Sequence, residues 1–139
     1  MTYSRLPRPN RQGPPRILII EGDPMFAYLI DNMVFDIGYA VSAIAHTFAS
    51  AHQELAKRNF DAVLLGPTLG DQNTSEIAEI LREMGTPFAF TSGRDRVFEV
   101  RYKNVPVLHK PFTAYQLHVL LERLVGRGGR MPLEIANAS

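Results

Sequence analysis

The sequence contains no cysteine among its 139 residues. This absence excludes disulfides, thiolate metal sites and thiol catalysis. No apolar run approaches the roughly 18 residues that a membrane-spanning helix needs, and residues 1–15 lack the apolar centre of a signal peptide. We therefore expect a cytoplasmic protein without a membrane partner.

The chain also has little net charge, because fifteen basic residues face fourteen acidic ones and leave a charge of +1. A strong positive field that would attract nucleic acid is therefore not expected. The basic residues do cluster near the two ends of the chain. We interpret these clusters as solvated charge; they comprise Arg5, Arg8, Arg11 and Arg16, and then Arg123, Arg127 and Arg130.

Composition divides the chain into one folded domain and two short ends. Hydrophobic residues make up 45% of the sequence and charged residues 21%, which is typical of a globular protein. Residues 1–15 are rich in proline and arginine and predict a disordered leader. Residues 127–139 predict a flexible tail, so the folded domain is expected to span residues 16–126.

Within residues 16–126, short apolar runs alternate with segments of helical period. The predicted strands cover residues 16–20, 41–45, 61–65, 87–91 and 105–108. Five βα units in succession require right-handed crossovers. The sequence therefore predicts an α/β fold, a doubly wound five-stranded parallel sheet of the flavodoxin-like (βα)5 type.

The predicted helices carry recognisable boundaries and apolar faces. The first helix is predicted to bury one broad face, ending at Gly38; that face comprises Met25, Leu29, Met33 and Ile37, joined by Phe26, Ile30 and Val34. Capping residues are predicted at Thr47 or Ser50, at Asn73 with Glu76, and at Thr113 with Gln116. Residues 94–103 predict one short, weakly periodic helix.

Ligands of such sheets bind at the carboxyl ends of the strands. The loops there contain 21-Glu-Gly-Asp-Pro-24, 66-Gly-Pro-Thr-Leu-Gly-70, 92-Ser-Gly-93 and 109-His-Lys-Pro-Phe-112. With the strand 17-Ile-Leu-Ile-Ile-20 and the run 87-Pro-Phe-Ala-Phe-Thr-Ser-Gly-93, they resemble the CheY-like receiver domains of bacterial response regulators. The resemblance covers nearly all of residues 16–126.

This resemblance implies a phosphorylation site in two-component, phosphorelay signalling. Matched residue by residue, the acidic pair of the family falls on Glu21 and Gly22, and the phosphoacceptor aspartate falls on Gly66. The hydroxyl residue falls on Ser92 and the lysine on Lys110. An aromatic switch residue of the family corresponds to Val107.

The chain departs from the family at the residues that carry the chemistry. Gly66 has no side chain to accept a phosphoryl group, and Gly22 removes a carboxylate that would help to bind Mg²⁺. We therefore expect no bound metal and no cofactor. Nearby Asp23 and Asp71 are interpreted as loop charges rather than substitute acceptors, and Asp61 as the entry to the third strand.

Two further sets of residues have plain structural interpretations. Lys110 is expected to form an ion pair with Glu21 or with Asp23 across the crevice. The histidines have no metal-ligand spacing, and each is expected at the surface or its boundary; they are His46, His52, His109 and His118. The run 94-Arg-Asp-Arg-96 is interpreted as an exposed helix start.

Three functions remain open. The first is a stand-alone pseudo-receiver, not an enzyme, that binds a histidine kinase, another receiver or a copy of itself without Asp phosphorylation; the resemblance implies a partner face on the last two helices and the last strand. The second is a phosphorylated regulator with an atypical acceptor. The third is a flavin- or nucleotide-binding protein, although no phosphate-binding glycine motif is present.

Overall fold

A computed structural model describes residues 13–92 and 102–126 of the chain. These residues form seven strands and four helices. In chain order the elements are β1 (Arg16–Ile20), α1 (Pro24–Asp36), β2 (Ala40–Ala45), α2 (Phe48–Lys57), β3 (Ala62–Leu65), β4 (Thr68–Leu69), β5 (Gln72–Asn73), α3 (Ser75–Met84), β6 (Phe88–Ser92), β7 (Val107–His109) and α4 (Ala114–Val125).

Five of the strands form one parallel sheet in the order β2-β1-β3-β6-β7. This confirms the predicted doubly wound sheet. The largest error in strand position is at β7, which was expected over residues 105–108 and covers Val107–His109. The shift follows from the register, in which Phe90 pairs with Val107 and Ser92 with His109.

Helices cover both faces of the sheet, because the side chains of β1 are apolar on both of its faces. Ile17 and Ile19 face a core that contains residues of α1 and α4. Leu18 and Ile20 face a second core that contains residues of α2 and α3. Because successive side chains of a strand point to opposite faces, the fully buried β1 separates two apolar layers.

Two of the three predicted helix caps form, and the third prediction is wrong. Capping boxes start α2 at Thr47 and α4 at Thr113. The N-cap of α3 is instead Thr74, which makes no side-chain cap hydrogen bond, although Asn73 Oδ1 accepts the N–H of Ser75 at 3.1 Å. The Thr74 hydroxyl donates to the carbonyl of Gly66 at 2.7 Å, and the unpredicted antiparallel pair β4 and β5 brings the chain back to that point.

The predicted buried face of α1 is partly wrong. Met25 is 79% exposed and Leu29 is 51% exposed. The helix does bury Ile30 and Val34, as predicted, together with Ala27, which was not in the predicted set. A spacing of four residues drifts round a helix of 3.6 residues per turn, so the row that starts at Met25 leaves the sheet and the row that starts at Ala27 faces it.

One histidine was also placed wrongly. His118 lies in α4 and is only 3% exposed, with its ring 6.0 Å from the ring of Tyr39.

A short helix was expected over residues 94–103. Its residues 94–101 lie outside the described part of the chain, as do residues 1–12 and 127–139. Of the described helices, none has the length and apolar character of a membrane span.

Adjacent residues of α1 test its orientation. Ile30→Ala should lower the free energy of unfolding by about 2–5 kcal/mol, because Ile30 is completely buried. Leu29→Ala should change it by less than about 0.5 kcal/mol, because a half-exposed side chain loses little burial. Urea denaturation of the two variants beside the unmodified chain measures both values. Equal losses would show that the helix is rotated from the position described.

Candidate functional site

The crevice at the carboxyl ends of the strands brings together the residues that the sequence singled out. Glu21 follows β1, Gly66 follows β3, Ser92 ends β6 and Lys110 follows β7. Since β1, β3, β6 and β7 are adjacent and parallel, these four positions lie along one edge of the sheet.

Glu21 is buried at the centre of this edge, with 7% of its surface exposed. Its Oε2 accepts the backbone N–H of Asp23 at 3.0 Å. Its own N–H donates to the carbonyl of Ala45 at 2.9 Å, and its carbonyl lies 2.8 Å from Nδ1 of His46. These bonds fix the backbone, so the carboxylate is directed into the crevice.

The Glu21 carboxylate lies beside the position of the missing acceptor. A Cβ atom built on Gly66 would lie 3.2 Å from Oε1 of Glu21 and 3.4 Å from the carbonyl oxygen of Ile20. The first distance is tighter than an ordinary van der Waals contact. A side chain at position 66 would therefore compete with Glu21 for the same space.

Lys110 completes the group. Its Nζ lies 3.9 Å from Oε1 of Glu21 and 3.3 Å from the centroid of the Phe26 ring. The Phe26 ring in turn meets the edge of Phe112 at 5.9 Å. The ammonium group thus has both a carboxylate and an aromatic face as neighbours, and each attracts a cation.

The geometry decides between the two ion pairs that the sequence left open. Lys110 pairs with Glu21, whereas Asp23 accepts the N–H of Met25 at 3.0 Å and caps α1. Asp71 lines a separate shallow groove with His52 and Glu76. Within residues 13–92 and 102–126, no three His, Asp or Glu side chains come together as a metal site would require.

The two glycines of the site differ in the room around them. Gly66 is buried, its N–H donating to the carbonyl of Ile20 at 2.8 Å. A Cβ on Gly22 would meet Leu69 and Gly70 only at 3.7 Å, an ordinary contact. Position 22 could therefore carry a side chain without rearrangement, and position 66 could not.

The remaining two predicted residues support the crevice from β6 and β7. Ser92 is 1% exposed, and its carbonyl accepts the N–H of Lys110 at 2.7 Å. Val107 is half-buried and packs against the core on the α2 and α3 side of the sheet. It also lines an apolar groove on the outer side of β7.

Sequence reasoning missed two residues of the site. Phe26 was assigned to the buried face of α1, yet its ring covers Lys110. Thr74 was passed over for Asn73 as a cap, yet its hydroxyl holds the carbonyl of Gly66. Phe26 is the third residue of α1. Its sequence position gave no sign of a role in the site, because an aromatic residue there also fits the apolar period of the helix.

The fold and the position of this crevice define the class of protein. A five-stranded parallel sheet in the order β2-β1-β3-β6-β7, flanked by helices on both faces, is the flavodoxin-like arrangement. The acidic residue after β1 and the lysine after β7 converge at its carboxyl edge, as they would in a receiver domain.

Comparison with solved structures supports this class. The chain is similar to SdrG from Sphingomonas melonis Fr1, with 28% identity and a TM-score of 0.73, over 82% of this chain and 98% of SdrG. SdrG in its BeF3-activated conformation gives 27% identity and a TM-score of 0.70, over 83% and 99% of the two chains.

More distant structures share the fold. The PhyR receiver domain of Erythrobacter litoralis has 21% identity and a TM-score of 0.66, over 84% of this chain and 93% of that domain. A CheY-like receiver domain from Methylobacillus flagellatus has 19% identity and a TM-score of 0.71, over 81% and 99%. No family model and no curated protein sequence matches the chain.

Together with the fold and the crevice, the likeness to SdrG supports a CheY-like receiver domain, and the more distant structures support its fold.

The contact between Glu21 and position 66 can be measured. Gly66→Ala should lower the free energy of unfolding by about 1–3 kcal/mol, because the added methyl group overpacks the crevice. Gly22→Ala, the matched control, has ordinary contacts and should cost less. Thermal or urea denaturation provides the comparison.

A double-mutant cycle assigns the cost to its cause. In a Glu21→Ala background, Gly66→Ala should lose most of its effect, because the atom that it meets has been removed. An equal cost in both backgrounds would place the strain at the carbonyl of Ile20 and would contradict the assignment to Glu21.

Proposed function

We propose that the protein is a stand-alone pseudo-receiver, which acts in two-component signalling by binding another protein and is not switched by Asp phosphorylation. It is not an enzyme in this account, and it needs neither a metal nor a cofactor. Its partner is a signalling protein such as a histidine kinase, another receiver or a second copy of the chain, rather than nucleic acid or membrane.

One observation carries the proposal: Glu21 occupies the space beside Gly66. In a phosphorylated receiver, an aspartate at this position would attack the phosphoryl group, and the lysine would hold the product. Here the acceptor position has no side chain, and Lys110 already faces the Glu21 carboxylate and the Phe26 ring. The site is therefore built to remain in one state.

A partner face is available at the edge of the sheet. An apolar groove of about 300 Å³ runs between β7 and α4. Val119 projects there with 44% of its surface exposed, and Arg123 adds a positive charge at its end. Exposed apolar side chains beside a sheet edge favour docking of another protein.

A second candidate is phosphorylation on an unusual acceptor. The observation in its favour is that Glu21 is a carboxylate 3.9 Å from Lys110. Against it, Oε2 already accepts the N–H of Asp23, and the side chain is almost completely buried.

Nothing in the crevice favours a flavin or a nucleotide as a ligand, since a buried carboxylate would repel phosphate.

Beryllofluoride tests the proposal, since it imitates an acyl phosphate when it binds a receiver with Mg²⁺. Amide NMR spectra of the full chain should not change on addition of both ions, because no carboxylate at position 66 can hold them. The Gly22→Asp/Gly66→Asp variant restores both missing carboxylates and serves as the positive control. To make room for the new side chain at position 66, this variant is also prepared with Glu21→Asp.

The spectra separate the two candidate functions. Shifts confined to the restored variants would support the pseudo-receiver. Shifts of Ser92 and Lys110 in the unmodified chain that disappear in Glu21→Gln would instead assign the acceptor to Glu21 and reject the proposal. Core signals such as those of Ile30 and Val63 report whether each variant is folded.

A further inference from the structure

Helix α1 presents an apolar face to solvent, away from the crevice. Met25, Tyr28, Leu29 and Phe35 are 79%, 67%, 51% and 73% exposed. At 100° per residue, these four positions fall within an arc of roughly 120° on one side of the helix. Four large apolar side chains on one helix face are a typical binding surface.

The charged side chains of α1 itself are all acidic. They are Asp31 and Asp36, and the N-cap of the helix is Asp23. No basic residue occupies the last turn, where the helix dipole is negative. A covering segment should therefore be both apolar and basic. A second copy of α1 would bring acidic groups together, which is unfavourable.

The topology places the point where the chain leaves α4 close to the C-terminal end of α1. Because β1 and β7 are parallel, α1 and α4 run in the same direction and end at the same edge of the sheet. Phe26 and Phe112 touch near the starts of these helices, and Val125 at the end of α4 belongs to the same core as Ile37. The chain after Gly126 therefore starts close to the acidic end of α1.

The sequence after Gly126 has the composition that the face requires. Arg127 and Arg130 come first, and Met131, Leu133 and Ile135 follow at alternate positions, with the one acidic residue, Glu134, between the last two. In an extended segment, alternate residues share one side. The nine residues 127–135 would span up to about 30 Å, whereas the 13 residues of α1 span about 20 Å.

We propose that residues 127–135 dock along the exposed face of α1, with the arginines near Asp36 and Asp31 and the three apolar side chains on Leu29 and Met25. This inference does not depend on the absence of phosphorylation at the crevice.

The test uses the full chain with three apolar residues of the tail changed, Met131→Ser/Leu133→Ser/Ile135→Ser. The amide signals of Leu29 and Phe35 and the methyl signals of Leu29 should shift, and the amide and methyl signals of buried Ile30 should not. The leader is also basic, with Arg5, Arg8 and Arg11. Tyr3→Ser/Leu6→Ser is therefore the matched control, and it should leave the α1 signals in place.

Addition in trans supplies a second measurement. A synthetic peptide of residues 127–139 should bind a chain that ends at Gly126, return the α1 signals towards their full-length positions, and bind less tightly as salt is raised. Unchanged α1 signals in the triple variant would overturn the proposal. So would shifts produced only by the leader variant, or shifts that depend on protein concentration, which would assign the face to the leader or to a second copy.

Discussion

A buried carboxylate requires hydrogen bonds or a cation, and the crevice is arranged around how Glu21 obtains them. Its oxygens face the N–H of Asp23 and the ammonium group of Lys110. The lysine rests in turn on Phe26, in the first turn of α1. The loops after β1 and β7 are therefore tied through one ionic contact, and Gly66 leaves the space in which it forms.

This arrangement separates the scaffold of a receiver from its chemistry. A switch needs two states that differ in what the lysine contacts. In this chain Lys110 has an ionic neighbour within the protein, the Glu21 carboxylate 3.9 Å away, and the proposed loss of switching rests on that contact. The sheet and its helices have the receiver fold, and the groove beside β7 is the surface that we propose for a partner.

The sequence predicted the sheet well because the central strands β1 and β3 are nearly continuous apolar runs, which parallel strands buried on both faces require. It also predicted which residues meet at the crevice, since adjacent parallel strands end together. It predicted poorly where several residues fit one pattern equally well. Met25 and Ala27 both start apolar rows on α1, Asn73 and Thr74 are both good caps, and only packing against the sheet decides between them. His118 was misplaced because a histidine carries no sign of burial in an otherwise apolar row.

Transfer of a phosphoryl group to the full-length chain tests the role of Gly66 most directly. The chain is incubated with Mg²⁺ and a small phosphodonor, and intact-protein mass spectrometry then measures any acid-labile adduct. The pseudo-receiver account predicts no adduct on the unmodified chain and an adduct on the Gly22→Asp/Gly66→Asp variant, prepared with and without Glu21→Asp. An acid-labile phosphoryl group on the unmodified chain, above all one lost in Glu21→Gln, would contradict it.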